Sequence, residues 1–299
     1  MKTQDSSQPK VWVTGAAGLI GNCLIQSAAA ELPGHQVMRL VRNADGVLPE
    51  TTLALDLTDF VAVRRAFQEH RPQLVIHCAA MSRSPLCQSQ PQEARRANVD
   101  ATQNLADIAA DIPFIFFSTD LVFDGAAGNY LEDSPVNPLS IYAETKVAAE
   151  ALVRTNPRHT IVRVALNAGV SLTGNRAFNE EMRLAWQAGR PLNLFTDEFR
   201  CVIPAPATAR AVWELAKQPV PGTFHLGGSE KLSRYEIGQL LAARWPELKP
   251  QIIPSSLREY RGAPRAPDVS MNCAKLQGLL SFPLPRFSAW LTAHPHEKI

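Results

Sequence analysis

The 299-residue chain is 45% hydrophobic and 19% charged, and its formal net charge is +2. It is long enough for one large domain, or for a main domain with a smaller partner. So small a charge gives no field to draw nucleic acid or an anionic membrane, and neither is expected as a partner. Five scattered cysteines (Cys23, Cys78, Cys87, Cys201 and Cys273) form no C-x-x-C pair, which argues against a disulfide framework and a zinc site. They fit a reducing compartment. Met1 to Gln8 are polar, lack the apolar core of a signal peptide and are expected to be disordered. No apolar run approaches membrane-spanning length, so the default is a cytoplasmic protein without a metal centre.

Lys10–Thr14 is a short β-forming run that ends in Gly15-Ala-Ala-Gly18-Leu-Ile-Gly21, after which the sequence is helical from Leu19 to about Ala30. Strand, glycine turn and helix start are the context that a dinucleotide-binding turn needs. Gly15, Gly18 and Gly21 would let the backbone approach a pyrophosphate, with Ala17, Leu19 and Ile20 beside it at the helix N-terminus. The plain alternative is a tight βα turn with packing glycines. His35–Arg42 reads as the second strand. A site selective for NAD usually carries an acid near that strand's end, whereas here Arg42 stands there, with Arg39 inside the strand and Asp45 only after the turn. A guanidinium suits a 2′-phosphate, so NADPH is favoured over NADH, although either arginine also reads as a surface charge.

Thr51–Leu55 is a third strand, and Asp56-Leu57 after it is placed to hold an adenine ring. Thr58 is expected to cap a helix running to Phe67. Gln73–Cys78 is an unbroken apolar strand, as expected when both faces of a sheet are covered. Ala79 and Ala80 then let a dinucleotide pass close. His77 reads as a packed strand residue. A long helix from Pro91 to about Ala110 carries Asn98, either solvated or bracing a loop. Pro113–Phe117 delivers Ser118-Thr119-Asp120 to its carboxyl end, where open parallel sheets bind ligands.

The turn-rich run from Ser134 to Lys146 opens into a helix on which Tyr142 and Lys146 lie one turn apart. A phenol gives up its proton reluctantly at neutral pH. A neighbouring ammonium favours the phenolate, so Lys146 is expected to lower the tyrosine pKa and make it a usable proton donor and acceptor. Tyr and Lys at this spacing are more often a solvated face; the glycine turn and the Thr119 strand end are what raise the pair above that.

Four stretches, TGAAGLIG (14–21), HCAA (77–80), STDLVFDG (118–125) and NPLSIYAETKVAAE (137–150), resemble the extended short-chain dehydrogenase/reductase superfamily. Within it the chain is most similar to the dTDP-4-dehydrorhamnose reductase group, strongly over residues 10–165 and less so beyond. The resemblance implies an α/β fold, a Rossmann-type doubly wound parallel sheet with a smaller C-terminal lobe. A division follows, with residues 1–165 binding NAD(P) and 166–299 mainly the substrate, some elements returning to the first part. It implies Tyr142 as proton donor, Lys146 as partner of that tyrosine and of the nicotinamide ribose, Thr119 as the group polarising a carbonyl, and Asp120 against the sugar. A homodimer is common among such proteins.

Beyond Thr160–Val164, a sixth strand, the resemblance implies an aromatic-containing run, but Leu166-Asn-Ala-Gly169 stands here. Asn179–Ala188 reads as a helix, Leu192–Phe195 as a strand, and Thr196–Pro204 as a loop whose Arg200 is a candidate phosphate contact. Ala207–Lys217 is an amphipathic helix, Gly222–Gly228 a strand and turn, and Ser233 caps a helix to about Trp245. Arg258–Pro267 either orders over a substrate or is a surface loop, and Asp268–Leu276 ends in a short helix. The expected activity is NAD(P)H-dependent reduction of a keto group on a nucleotide sugar. The rivals are an epimerase, a dehydratase or a reductase of a carbonyl compound without a nucleotide. A further rival is a non-catalytic NADP-binding subunit resembling the regulatory subunit of methionine adenosyltransferase.

Overall fold

The structure, a computed structural model, describes residues 8–43 and 49–299; Asp45 and all but one of the first eight residues lie outside the described residues. Seven strands form one sheet: β1 (Lys10–Thr14), β2 (Gln36–Val41), β3 (Thr52–Ala54), β4 (Leu74–His77), β5 (Phe114–Thr119), β6 (Thr160–Val164) and β7 (Gly222–Leu226). Their order is β3-β2-β1-β4-β5-β6-β7, and every pair is parallel. The chain builds outward from β1 in one direction and then from β4 in the other. The carboxyl ends of β1 and β4 therefore flank the reversal point, where such sheets leave a crevice for a ligand.

Period-two alternation assigns the core. Val11 and Val13 of β1 and Ile115 and Phe117 of β5 face one apolar cluster, shared with α1 (Leu19–Glu31). Trp12, Phe114 and Phe116 face the other, shared with α2 (Phe60–His70). The second face is completed by α3, which runs as Pro91–Arg95, a π turn at Arg96–Asp100 and Ala101–Ile108, and by α4 (Ile141–Val153). On the first face α1 packs against α5 (Ala205–Lys217), whose Trp213 is wholly buried and donates from Nε1 to the Leu24 carbonyl and Ser27 Oγ at 3.2 and 3.0 Å. Beyond β6, the chain thus returns β7 to the sheet edge and α5 to its first face. The remainder gathers round a separate apolar cluster that includes Met182, Trp186, Leu194, Ile237 and Phe287. No helix among the described residues is long and apolar enough to cross a membrane.

Two local expectations change. The cap of α2 is Asp59, which accepts from the Ala62 N–H at 3.0 Å, because the Thr58 backbone and hydroxyl are both engaged by Asp56. The long third helix is interrupted by its π turn, which turns Asn98 wholly inward. There Asn98 accepts from Met81 N at 2.7 Å and donates to Met81 O and Thr145 Oγ1 at 3.0 and 2.9 Å. It is therefore a brace between the segment after β4 and α4, one of the two roles its position allowed.

His77, at the end of β4, is the other buried polar brace. Thr102 gives its hydroxyl proton to the Asn98 carbonyl, so its oxygen receives the His77 Nε2 proton at 3.0 Å. Nδ1 then accepts from Thr14 at 2.7 Å, and Thr14 in turn accepts from Ala79 N at 3.1 Å. One tautomer satisfies all of these contacts. Burial, with Lys146 nearby, pushes the imidazole down to about 3 from an ordinary value near 6.5. A histidine kept neutral this way contributes fully above about pH 6.5, and its contribution is lost as pH falls toward 3, by about 1.4 kcal/mol per unit. Chemical denaturation between pH 7 and 4 should show His77→Gln less stable at pH 7 by about 1–3 kcal/mol and with a shallower acid loss. An unchanged slope would contradict the neutral brace.

Candidate active site

The turn after β1 has the shape of a pyrophosphate cradle. Gly15 sits at φ +67°, and a Cβ there would press on Ala79 N at 2.7 Å; on Gly21 it would run into the Gly15 carbonyl. Side chains are thus excluded where β1, the start of α1 and Ala79-Ala80 converge. Gly18 caps α1 without any side-chain hydrogen bond, so the N–H groups of the first turn, among Leu19 and Ile20, have no side-chain acceptor. Small residues, free N–H groups and the helix dipole fit the diphosphate of a dinucleotide. Ala17 lies on the same turn. At the outer end, Asp56 and Leu57 follow β3, and Arg42 follows β2, exposed. Arg42 and Arg96 both act on the Asp56 carboxyl, which is held below its usual range chiefly by the Thr58 N–H.

Ser140 caps α4, accepting from Ala143 N at 3.3 Å, and so fixes the turn that carries Tyr142 and Lys146. Lys146 is only 2% exposed, with Nζ 4.0 Å from the centre of the Phe116 ring. Burial pushes its ammonium down to about 7, although Glu150, one turn further on, opposes the shift. Glu150 is itself buried and held by Arg163 at 2.9 and 2.8 Å. Tyr142 departs from the sequence expectation. Its phenol is pushed up, first by burial and then by the charge of Asp120, while contact with Thr119 favours the phenolate; Lys146 is not among the charges that act on it. Asp120 is buried and its carboxyl is raised by loss of water. Its Oδ1 accepts from Thr119 Oγ1 at 3.0 Å, and its Oδ2 has no partner.

Thr119, Asp120 and Tyr142 line a cleft of about 360 Å³, as does Ile20 from the glycine turn. Arg200, Arg234, Arg265 and Glu198 line the same cleft, and the Arg200 charge opposes the rise of the Asp120 carboxyl. Arg200 does line this cleft, but its guanidinium is largely engaged: Nη1 donates to the Phe199 and Ala266 carbonyls at 2.8 and 3.2 Å and Nη2 to Glu198 at 2.8 Å. Arg265 forks onto the same buried Glu198 at 2.7 and 2.9 Å. Arg265 belongs to the Arg258–Pro267 stretch, part of which therefore reaches the cleft. Arg234 and Glu198 were not anticipated from the sequence. Arg234 reads as an ordinary residue after the Ser233 cap, and nothing local marks Glu198. Leu166 and Asn167, standing where the resemblance implied an aromatic, are wall residues of the same cleft.

A family model described as the RmlD substrate binding domain matches residues 9–297. The chain belongs to this RmlD family. It is 30% identical over 290 residues to the dTDP-4-dehydrorhamnose reductase of Sinorhizobium fredii, covering 92% of this chain and 93% of that one. It is also 28% identical over 274 residues to methionine adenosyltransferase 2 subunit beta of Xenopus laevis, covering 89% and 80%. Among solved structures, the dTDP-4-dehydrorhamnose reductase of Bacillus anthracis, in complex with NADP, superposes with a TM-score of 0.84 at 22% identity, over 96% of this chain and 98% of that one. The RmlD protein is thus placed among extended short-chain dehydrogenases/reductases, NAD(P)-dependent oxidoreductases that act on a carbonyl or its alcohol.

In this RmlD protein the lysine carries a stability cost that can be measured. A lysine whose folded pKa is depressed contributes fully only above its unfolded value near 10.5, and that contribution is lost as pH falls through 7. At pH 7 the ligand-free fold therefore holds Lys146 at a disadvantage. Lys146→Met is expected to stabilise the ligand-free protein at pH 7 by about 1–3 kcal/mol, with the gain shrinking toward pH 10. Thermal or urea unfolding at the two pH values checks it, and a destabilised variant at pH 7 would refute it.

Proposed function

We propose that the protein reduces a keto group on a nucleotide-linked sugar, with NADPH as the preferred cofactor. One observation carries this reading: a hydroxyl and a phenol (Thr119 and Tyr142) line one cleft with three arginines and with Ile20 of the glycine turn, and Lys146 is buried one helical turn after Tyr142. Bound NADPH supplies the hydride. Thr119, able to turn its hydroxyl from Asp120 to a substrate oxygen, stabilises charge developing on that oxygen, and Tyr142 gives it a proton. The upward push on the phenol keeps Tyr142 protonated until that moment, which suits a proton donor. Lys146 holds the cofactor's ribose side and supplies positive charge once a polar ligand makes up for its lost water. The cradle residues Gly15, Ala17, Gly18, Leu19, Ile20 and Gly21, with Ala79 and Ala80, hold the diphosphate, and Asp56 and Leu57 the adenosine. Arg42 favours a 2′-phosphate and hence NADPH. Asp120 meets the sugar, and the arginines meet the nucleotide's phosphates. The five free thiols suit a cytoplasmic setting, and a homodimer is part of the same proposal.

A second reading keeps the cofactor site but not the turnover, as a regulatory subunit; the likeness to methionine adenosyltransferase 2 subunit beta favours it. NADPH oxidation against a panel of dTDP- and UDP-linked 4-keto sugars separates the two. Turnover is expected with at least one member, and Tyr142→Phe should lower kcat by about 10²–10⁴ while NADPH affinity is kept. Tight NADPH binding without turnover on any of them, together with a stoichiometric enzyme partner that co-purifies equally with Tyr142→Phe, would favour the regulatory subunit.

A further inference from the structure

The charged groups that line the cleft are unevenly committed. Glu198, 1% exposed, is the carboxylate that holds Arg200 and Arg265, through one and two ion-paired hydrogen bonds respectively. Arg200 spends two further N–H groups on backbone carbonyls. These two guanidiniums are therefore fixed in place, and one negative charge is already set against them. Arg234 is different. It lines the same cleft, half-buried, with its guanidinium carbon 5.0 Å from the Phe178 ring centre. Among the described residues its guanidinium has no hydrogen-bond or ion-pair partner. Only longer-range charges reach it: attraction from Glu198 and Glu181 and repulsion from Arg200 and Arg265.

Its backbone is well fixed, in contrast. Arg234 N donates to the Glu198 carbonyl at 2.8 Å, and the helix that follows begins with a reciprocal Ser233–Glu236 cap. A firmly anchored arginine with an uncommitted head, among two other guanidiniums and one carboxylate, is arranged for an anion that the protein does not itself supply. Glu198 is shared by Arg200 and Arg265, and Glu181 reaches Arg234 only at longer range, so among the described residues Arg234 has no direct counter-ion and is free to meet a phosphate of a nucleoside diphosphate ester.

We propose that Arg234 is the specificity-determining residue through which the cleft selects a diphosphate-linked substrate over a carbonyl compound that lacks one. The inference deepens the nucleotide-sugar reading and rests on it for the class of ligand. Arg200 and Arg265, preset by Glu198, offer a rigid rim; Arg234 closes on the ligand and makes the contact that a neutral or singly charged compound cannot replace. Burial and the two neighbouring arginines push its guanidinium down to about 10, and an arriving anion relieves that strain.

The test uses dTDP, UDP and thymidine monophosphate as probes, titrated calorimetrically into the full chain saturated with NADP⁺ so that the glycine cradle is already filled. Wild-type protein should bind both diphosphates more tightly than the monophosphate. Arg234→Met keeps an aliphatic stem over Phe178 and should weaken dTDP and UDP by about ten- to a hundredfold, with the monophosphate affected less. Arg234→Lys should recover only part of that loss, since an ammonium lacks the planar fork. Unchanged NADP⁺ affinity and unfolding temperature confirm that each variant is folded. Diphosphate affinity unaltered in both variants overturns the assignment, as does a wild-type protein that binds neither diphosphate. Binding is read without turnover, so the two readings fail separately. Arginine-dependent diphosphate binding with no reduction of any keto sugar removes the reductase and leaves Arg234 as assigned. Reduction of a nucleotide-linked keto sugar, with diphosphate affinity unaltered in both Arg234 variants, removes the assignment and leaves the reductase.

Discussion

Lys146 lies out of water against the Phe116 ring, close to Cys78, with its nearest compensating carboxylate, Glu150, already engaged by Arg163. The rest of the site is arranged around this buried amine and the phenol one turn before it. Both groups are driven toward their uncharged forms, the amine by burial and the phenol by burial and the Asp120 charge. A ligand that brings polar groups to Lys146 alters this balance more than any change within the ligand-free protein. The braces built on Asn98 and His77 make the arrangement possible. They tie the Ala79–Met81 segment to α4 and to β1, so the glycine turn and the helix that carries Tyr142 and Lys146 keep one spacing.

Two sets of groups with different physics line the cleft. Beside Tyr142 the polar groups are few, buried and incompletely partnered, as the bare Asp120 Oδ2 illustrates. Such groups respond strongly to whatever arrives, because an unmet buried acceptor is costly and a met one is not. The arginines are charged, mutually repelling and partly fixed by Glu198. Leu166, in place of an aromatic, gives the cleft wall a plain apolar surface.

Much of this was legible in the sequence wherever the signal was local. The glycine turn, the apolar strands and the four-residue spacing of Tyr142 and Lys146 each lie within a dozen residues, and the structure places them as read. The site's charge balance was not legible, because it is assembled from distant parts of the chain. Glu198, Arg234 and Arg265 are spread over 68 residues in three segments that meet only when the cleft forms. The direction of the Tyr142 shift went wrong for a related reason. Helical spacing shows which residues are neighbours on one element; it does not show the burial that pushes the phenol up most, nor the charge of Asp120 brought in from the end of β5. Thr58 lost the cap of α2 to Asp59 because Asp56 took both its N–H and its hydroxyl, a competition that propensity alone does not reveal.

The central claim is that hydride passes from a nicotinamide to a sugar carbonyl beside Tyr142 in the cleft. NADPH carrying deuterium in place of the transferred hydrogen at C4 of the nicotinamide, incubated with a nucleotide-linked 4-keto sugar and the protein, tests it most directly by mass spectrometry of the sugar. The account predicts a reduced sugar with one deuterium on the former carbonyl carbon, formed in step with NADP⁺. A sugar that is unchanged, or altered without deuterium while the NADPH remains unspent, would contradict it.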